Sequence, residues 1–313
     1  MHRLAIVVPC YFEQEVLPET TECLTRCLEE LIKDRLIAPD SYVLYINDGS
    51  TDNTWTLIQQ FHESNKYIKG VNLAANVGHQ NALLAGLSVA VDCSDIAVTI
   101  DADLQDDVNA IREMVLRYSE GYDIVYGVRA SRKTDTWFKR TTAKMFYKLM
   151  NFMGVKSVYN HADFRLMSKR ALEQLLKFRE RNMFIRGVVP LVGYRTTNIY
   201  YDRAKRFAGE SKYPLSKMLA FALDGITSFS VRPIHLIIYL GVLFILISLG
   251  ILVWVAYTMV MGHAVQGWAS LMLSIWFCSG CLLVGMGIVG EYIGKIYIEV
   301  KDRPRYNIED LLM

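Results

Sequence analysis

This chain has few prolines, almost no net charge and no low-complexity segment. Only 7 of its 313 residues are proline, and 34 Lys and Arg nearly balance 32 Asp and Glu. Together with 12% aromatic residues, this composition excludes a disordered or collagen-like protein. A formal charge of +2 gives no reason to expect nucleic acid as a partner, so we predict none.

One long stretch has no charged side chain at all. No Asp, Glu, Lys or Arg occurs between Arg232 and Glu291, and the window contains two apolar runs, 236–261 and 268–290. Each run exceeds the about 20 residues that cross a bilayer. A buried helical pair in a soluble core is the alternative, but so long a window without charge is unusual there. We therefore predict a transmembrane helical hairpin over 234–294.

The basic residues predict how this hairpin is oriented. Lys and Arg precede the first run and follow the second, whereas the link between the runs has neither. Because cytoplasmic flanks are enriched in Lys and Arg, we expect both termini and the first 230 or so residues in the cytoplasm, at the plasma or inner membrane. The six cysteines agree with a reducing compartment. The flanking residues are Arg206, Lys212, Lys217 and Arg232, then Lys295, Lys301, Arg303 and Arg305.

The region before the hairpin alternates between two kinds of pattern. Short runs rich in β-forming residues are separated by segments with helical spacing, which predicts an α/β fold with a mostly parallel sheet and helices on both faces. The predicted strands are 4–8, 42–46, 70–73, 96–100 and 124–126. The predicted helices are 17–31, 54–63, 80–91 and 108–120.

Polar residues follow four of these strands, where open α/β sheets bind their ligands. The first 230 residues contain neither a G-x-G-x-x-G fingerprint nor a G-x-x-x-x-G-K-[S/T] loop, so those two nucleotide-binding modes are excluded for the sheet. What remains is a site rich in carboxylates and amides. The polar segments are 9–15, 47–52, 74–80 and 101–107.

Asp101 and Asp103 form a D-x-D pair after the fourth predicted strand. Such a pair alone is more often a solvated turn, but its place among three other polar strand ends favours a functional site. One or two carboxylates plus phosphate and water are the ligands that Mg²⁺ prefers. We therefore predict a site for Mg²⁺ or Mn²⁺ that bridges to a diphosphate.

Six segments, in order along nearly the whole chain, resemble the family 2 glycosyltransferases. The resemblance is to the branch that acts on polyprenyl phosphates, with the dolichol-phosphate mannose synthases and bactoprenol glucosyltransferases. Each segment alone is weak evidence for the family, but the presence of all six in this order is specific to it. They are VVPCYFEQE, INDGSTDNT, NVGHQNALLAGL, DADLQDD, HADFRLMSKRAL and RFAGESKYPLSKML.

The resemblance implies a GT-A fold, a Rossmann-like α/β domain that moves a sugar from a nucleoside diphosphate to a lipid phosphate. The positions that it assigns to the nucleotide sugar are Pro9, Tyr11, Glu13, Asp48, Asp101 and Gln105. It assigns the metal to Asp101 and Asp103, and catalysis to Asp103 and Asp163. It assigns the phosphate of the acceptor to Arg206, Ser211 and Lys212.

One position departs from the pattern of this family. Relatives usually have Arg-Asn-x-Gly where this chain has Ala75-Asn76-Val77-Gly78, so a cation beside the nucleotide is missing. We hypothesise that another cation, with Arg129 after the fifth predicted strand as the candidate, supplies the charge.

These expectations divide the chain into four parts. They are a catalytic domain over 1–205, a juxtamembrane segment over 206–233, the hairpin over 234–294 and a cytoplasmic tail over 295–313. Besides the donor, the lipid and the membrane, we expect a homo-oligomer, with a tetramer as one candidate, and a flippase or downstream transferase as a partner.

The proposed activity has three rivals. A UDP-sugar is the preferred donor, but a GDP-mannose-dependent mannose synthase has near-identical motifs. A processive polysaccharide synthase is disfavoured because the chain has no Gln-x-x-Arg-Trp segment. A degenerate membrane scaffold is supported by Ala75 and opposed by the intact D-x-D pair and Asp163.

Overall fold

A computed structural model describes residues 1–129, 161–180, 185–202 and 267–313, with separate helical positions between 234 and 261. These residues fall into two compact units. The first unit contains the sheet together with the C-terminal segment Arg303–Met313, and the second contains the long apolar helix.

The first unit is built on one eight-stranded sheet, with the strand order β7-β5-β6-β4-β1-β2-β3-β8. Pairing is parallel from β4 through β1 and β2 to β3 and between β5 and β7, which confirms the mostly parallel sheet. β6 and β8 run antiparallel to their neighbours. The strands are β1 (Leu4–Cys10), β2 (Tyr42–Asn47), β3 (Ile68–Leu73), β4 (Ile96–Thr99), β5 (Ile124–Arg129), β6 (His161–Ser168), β7 (Thr196–Tyr201) and β8 (Ile308–Leu312).

Seven α-helices are described, and the first four agree with the helical spacing of the sequence. A short 3-10 helix, Val189–Val192, follows the sixth. The helices are α1 (Leu17–Lys33), α2 (Thr54–Ser64), α3 (His79–Cys93), α4 (Ala110–Ser119), α5 (Lys169–Leu176), α6 (Ile185–Val188) and α7 (Trp268–Val300).

The central strands are buried on both faces. On one face Ile6 packs in a cluster with Leu24 of α1 and Ile111 of α4. Val7 points to the other face, where a Cβ added to Gly86 of α3 would lie only 2.7 Å from the Val7 side chain. Helices therefore cover both faces, and each aliphatic side chain buried between them contributes about 1.5–3 kcal/mol.

The C-terminal segment completes the sheet, although nothing in its sequence pattern predicted a strand. β8 pairs antiparallel with β3, with Val71 opposite Leu311. The Asn72 side chain donates a hydrogen bond to the carboxylate of Glu309 over 3.0 Å, and Ser88 shares one with the Tyr306 hydroxyl. The strand is held by the free edge of β3 rather than by burial, because four of its five residues are exposed.

The second unit contains the region for which the sequence predicts a transmembrane hairpin. The part of α7 from Phe277 to Val300 is long and apolar enough to cross a membrane, with a mean hydropathy of 1.5. Within the described part of the chain it is the single helix that meets this criterion. The described positions between 234 and 261 are helical, while the rest of the first run lies outside the described residues. Two spans and their orientation therefore stay predictions.

Candidate active site

The candidate site lies at the edge of the sheet where the parallel strands end. β1, β2, β3 and β4 place their carboxyl ends there, followed by the polar segments singled out in the sequence. Because β6 is antiparallel to β4, with Thr99 opposite Arg165, the beginning of β6 reaches the same edge. This pairing brings Asp163 next to the end of β4, where the Thr99 hydroxyl donates to the carbonyl oxygen of Asp163.

Asp48 joins two of the loops at this edge. Its carboxylate accepts hydrogen bonds from the backbone N–H groups of Val77 and Gly78, at 2.8 and 3.0 Å. The Asn76 side chain donates to the Asp48 carbonyl oxygen over 3.2 Å. Burial raises the pKa of Asp48, and the two backbone donors oppose that rise. Asp48 therefore fixes the loop after β3 against the turn after β2.

The turn after Asp48 requires glycine. Gly49 has a φ of +64°, in the left-handed region that disfavours a side chain. A Cβ at this position would also lie 2.4 Å from the backbone nitrogen of Asn76. The two loops thus approach each other so closely that no other residue fits between them.

The segment after β1 is anchored on the same turn and on the first residue of α2. Pro9 belongs to β1 and lies opposite Ile46 of β2. The backbone N–H of Phe12 donates to the Ser50 hydroxyl, and that of Glu13 donates to the Thr54 hydroxyl, both over 3.1 Å.

The predicted metal-binding loop is rich in negative charge. Desolvation raises the pKa of Asp101 to about 6; His79 opposes this rise, while the charges of Asp163, Asp106 and Asp103 reinforce it. The backbone N–H of Gln105 donates to the Asp103 carboxylate over 3.2 Å, which curls the loop around that carboxylate.

This arrangement fits a hard divalent cation. The negative charges of Asp163, Asp106 and Asp103 repel the Asp101 carboxylate and raise its pKa, and a bound cation would offset this repulsion. Oxygen is also the ligand atom that Mg²⁺ and Mn²⁺ prefer. Among the residues that the structure describes, no three His, Cys, Asp or Glu side chains form a complete protein cage. Such a cage is not expected for Mg²⁺, which takes its remaining ligands from phosphate and water.

Two arginines hold Asp163 in its ionised form. Arg165 donates to its carboxylate over 2.5 Å, and Arg186 donates through Nε and Nη2 over 3.1 and 2.8 Å. Burial would raise the pKa of Asp163, but Arg186 and Arg165 keep it well below its ordinary value. Arg165 is itself 1% exposed, so this ion pair is largely removed from water.

His79 lies between the two acidic groups. Its Nε2 atom is 3.7 Å from an Asp101 oxygen and 3.7 Å from an Asp163 oxygen. Sequence reasoning assigned no role to His79, Arg165 or Arg186. His79 lies in the polar segment that follows the third predicted strand, and this position could have marked it as a candidate site residue. Nothing in the sequence linked Arg186 to Asp163.

A buried ion pair supports the end of the acidic loop. Asp106 is 2% exposed and accepts hydrogen bonds from the Tyr201 hydroxyl at 2.5 Å and from Arg129 at 3.2 Å. The guanidinium of Arg129, the candidate for the cation missing at Ala75, is thus paired with Asp106. Its proposed contact with the donor remains a hypothesis.

The predicted acceptor-binding residues are Arg206, Ser211 and Lys212. All three lie outside the described residues. The structure therefore places the predicted donor-side residues and Asp163 at one edge of the sheet, and both the donor-side and the acceptor-side assignments remain predictions.

Comparison with known proteins gives consistent matches. The model of Glycosyl transferase family 2 matches residues 5–176. The uncharacterized glycosyltransferase YkoT of Bacillus subtilis (strain 168) is 54% identical over 306 residues, which are 98% of this chain and 91% of YkoT. The SfII prophage-derived bactoprenol glucosyl transferase of Shigella flexneri is 38% identical over 309 residues, which are 98% of this chain and 97% of that protein.

Among solved structures, glucosyl-3-phosphoglycerate synthase from Mycobacterium tuberculosis, in complex with Mn²⁺, UDP and phosphoglyceric acid, matches with a TM-score of 0.47. It is 16% identical, and the match covers 72% of this chain and 76% of that one.

Proposed function

Because the chain belongs to glycosyl transferase family 2, we propose that it moves a sugar, with glucose as the first candidate, from a UDP-sugar to a polyprenyl phosphate. The observation that carries this proposal is the acidic cluster in which Asp101 and Asp163 both lie 3.7 Å from His79. Relatives named bactoprenol glucosyl transferase, 38% identical over 98% of this chain, support the sugar and the acceptor. N-acetylglucosamine and a GDP-mannose donor remain the alternatives.

The donor side of the site must bind a diphosphate and stabilise its departure. Asp101 and Asp103 are the residues that would hold Mg²⁺ or Mn²⁺. When bound, the cation would act as a Lewis acid and offset the charge that develops on the leaving diphosphate, with no proton transfer. Asp48 and Gly49 keep the neighbouring loops in place.

The transfer itself is a single displacement. An oxygen of the acceptor phosphate forms a bond to the anomeric carbon while the bond from that carbon to the diphosphate breaks. The electron pair of the broken bond leaves with the nucleoside diphosphate, and the configuration at the carbon inverts. The acceptor needs no strong base, because a phosphate monoester has a second pKa of about 6 and is largely ionised at neutral pH.

Asp163 suits a role in positioning the acceptor rather than in accepting its proton. A carboxylate whose pKa is held low by Arg186 and Arg165 is a weak base. The two arginines fix its orientation, and Arg186, whose side chain is 39% exposed, would offer its charge to an anionic acceptor that binds beside Asp163.

Replacing Asp163 with Asn should therefore have a graded effect. We expect turnover to fall about tenfold, less than the roughly 100- to 10,000-fold that proton transfer by a general base contributes. The measurement is kcat with saturating donor and lipid. Unchanged turnover would leave Asp163 a structural role, and a loss above about a hundredfold would make it a base.

Asp123 offers a matched control for this substitution. It is a buried carboxylate held by an arginine, Arg170, but it precedes β5 at the opposite edge of the sheet. Asp123→Asn should lower stability and leave kcat unchanged.

The proposed function as a whole is tested with membranes that contain the full chain. They are incubated with radiolabelled UDP-glucose, UDP-N-acetylglucosamine or GDP-mannose, together with undecaprenyl phosphate and Mg²⁺ or Mn²⁺. We expect a labelled product that extracts into organic solvent and requires the added lipid. If no donor yields such a product, the proposal is wrong.

A further inference from the structure

A series of side-chain hydrogen bonds links β8 to the donor side of the site. The Glu309 carboxylate accepts a hydrogen bond from the Asn72 amide over 3.0 Å, and the Asn72 oxygen accepts one from the Asn47 amide over 2.8 Å. The Asn47 oxygen in turn accepts from the backbone N–H of Ser50 over 3.3 Å. Ser50 lies in the turn after β2, which also contains Asp48. Three hydrogen bonds therefore connect Glu309 with this turn.

The direction of these hydrogen bonds is set at both ends of the series. An ionised carboxylate only accepts and a backbone N–H only donates, whereas a side-chain amide can do either. The Asn72 amide must therefore turn its NH₂ group to Glu309 and its oxygen to Asn47, and the Asn47 oxygen must face Ser50. Asn47 is 2% exposed and Asn72 is 8% exposed, so water cannot readily replace a lost partner.

An irregularity in β8 coincides with Glu309. The pairing of β3 with β8 is regular up to Asn72, which lies opposite Asp310, and the register then shifts so that Leu73 lies opposite Ile308. Glu309 is the extra residue of this β-bulge. A bulge bends its strand and redirects the side chain of the extra residue. In β8 the redirected side chain is the carboxylate that contacts Asn72.

The C-terminal segment also holds the second loop that Asp48 joins. The carbonyl oxygen of Asn307 accepts a hydrogen bond from the backbone N–H of Ala74 over 3.0 Å. Ala74 begins the loop after β3, in which Val77 and Gly78 donate to the Asp48 carboxylate. Residues 307 and 309 therefore hold the loops on both sides of Asp48, one through the backbone and the other through two buried amides.

We propose that Glu309 is a positioning residue for the nucleotide-sugar donor, because it fixes, through Asn72 and Asn47, the turn that contains Asp48. The inference rests on the proposed function, in which this turn contacts the donor. Two side chains separate Glu309 from the turn, so it acts without touching the donor itself. A strand that follows the apolar helix α7 in the sequence then determines how tightly the site binds its nucleotide.

Three variants of the full chain test this proposal. Glu309→Ala removes the carboxylate that fixes the direction of the two amides. The double variant Asn72→Asp, Glu309→Gln exchanges the carboxylate and the amide. The carboxylate at position 72 then accepts from both neighbours and keeps the Asn47 amide in its original direction. Asp310→Ala is the matched control, because it removes an exposed carboxylate from the next residue of the same strand.

The readouts are the dissociation constants of UDP and GDP, measured by calorimetry in detergent with Mg²⁺, and the thermal midpoint of unfolding. For Glu309→Ala we expect the Kd of UDP to rise about fivefold, the effect of losing about one hydrogen bond. The double variant should bind UDP within about twofold of the wild type, because its hydrogen bonds are restored. Asp310→Ala should bind UDP as the wild type does.

Three results would overturn the inference. The first is a Glu309→Ala variant with a lower thermal midpoint but normal UDP binding, which would limit Glu309 to holding β8 in the sheet. The second is a double variant that binds UDP as weakly as Glu309→Ala, because the direction of the amides would then not matter. The third is an equal loss of UDP binding in Asp310→Ala. A wild type that binds neither UDP nor GDP would instead refute the proposed function, and this inference with it.

Discussion

Asp101→Asn is expected to lower the rate of sugar transfer at least about a thousandfold, because a bound cation contributes several kcal/mol to the stabilisation of developing charge. The substitution removes a negative charge from the group formed by Asp101, Asp103, Asp106 and Asp163 and leaves His79 and Asp103 in place. Initial rates with labelled donor and polyprenyl phosphate measure the effect, and raising the Mg²⁺ or Mn²⁺ concentration should restore part of it.

Asp107 provides the control within the same loop. Its side chain accepts a hydrogen bond from the Asn109 backbone N–H over 3.0 Å, and this bond can survive replacement of Asp107 by Asn. Asp107→Asn should therefore retain near-normal activity. If Asp101→Asn also retained it, the assignment of Asp101 to the cation would be wrong.

Gly49→Ala is expected to destabilise the protein by about 2–5 kcal/mol, the sum of left-handed strain and overpacking. The added methyl group would meet the Asn76 backbone nitrogen at 2.4 Å, so the two loops must separate. Separation would break the bonds from Val77 and Gly78 to Asp48, and UDP binding should weaken as well. Thermal unfolding and UDP titration of the full chain measure the two effects.

Gly193→Ala is the control that distinguishes the strain of a positive φ from the steric overlap at Gly49. Gly193 has a φ of +80°, but the nearest atom to an added Cβ is 3.8 Å away. This variant should lose only about 1 kcal/mol and bind UDP normally. Equal losses in the two variants would show that the close approach at Gly49 contributes nothing.

The strands that the sequence predicted are those whose burial dominates their composition. β1, β2 and β4 are buried on both faces and read as continuous apolar runs. β6 was not predicted because its sequence, HADFRLMS, includes an aspartate and an arginine that pair inside the protein. β8 was not predicted because its place depends on the free edge of β3 and not on its own sequence.

The residues of the candidate site likewise fall into those that local sequence predicts and those that depend on tertiary structure. Asp48 and Asp101 follow directly after predicted strands, so local order along the chain was enough to bring them together. Asp163 was found only by resemblance, because its position depends on the antiparallel pairing of β6 with β4. The contact between Arg186 and Asp163 depends on where α6 lies, which no local pattern encodes.

The strand β8 also determines when the sheet can be completed. Glu309 and its partner Asn72 are 237 residues apart, and all of α7 is translated between them. The other seven strands leave the ribosome earlier, so the edge of β3 remains unpaired until residues 308–312 emerge. Contacts between such distant residues form slowly, and an unpaired edge is open to association with other chains. The edge of β3 is therefore open to association with other chains throughout the synthesis of α7.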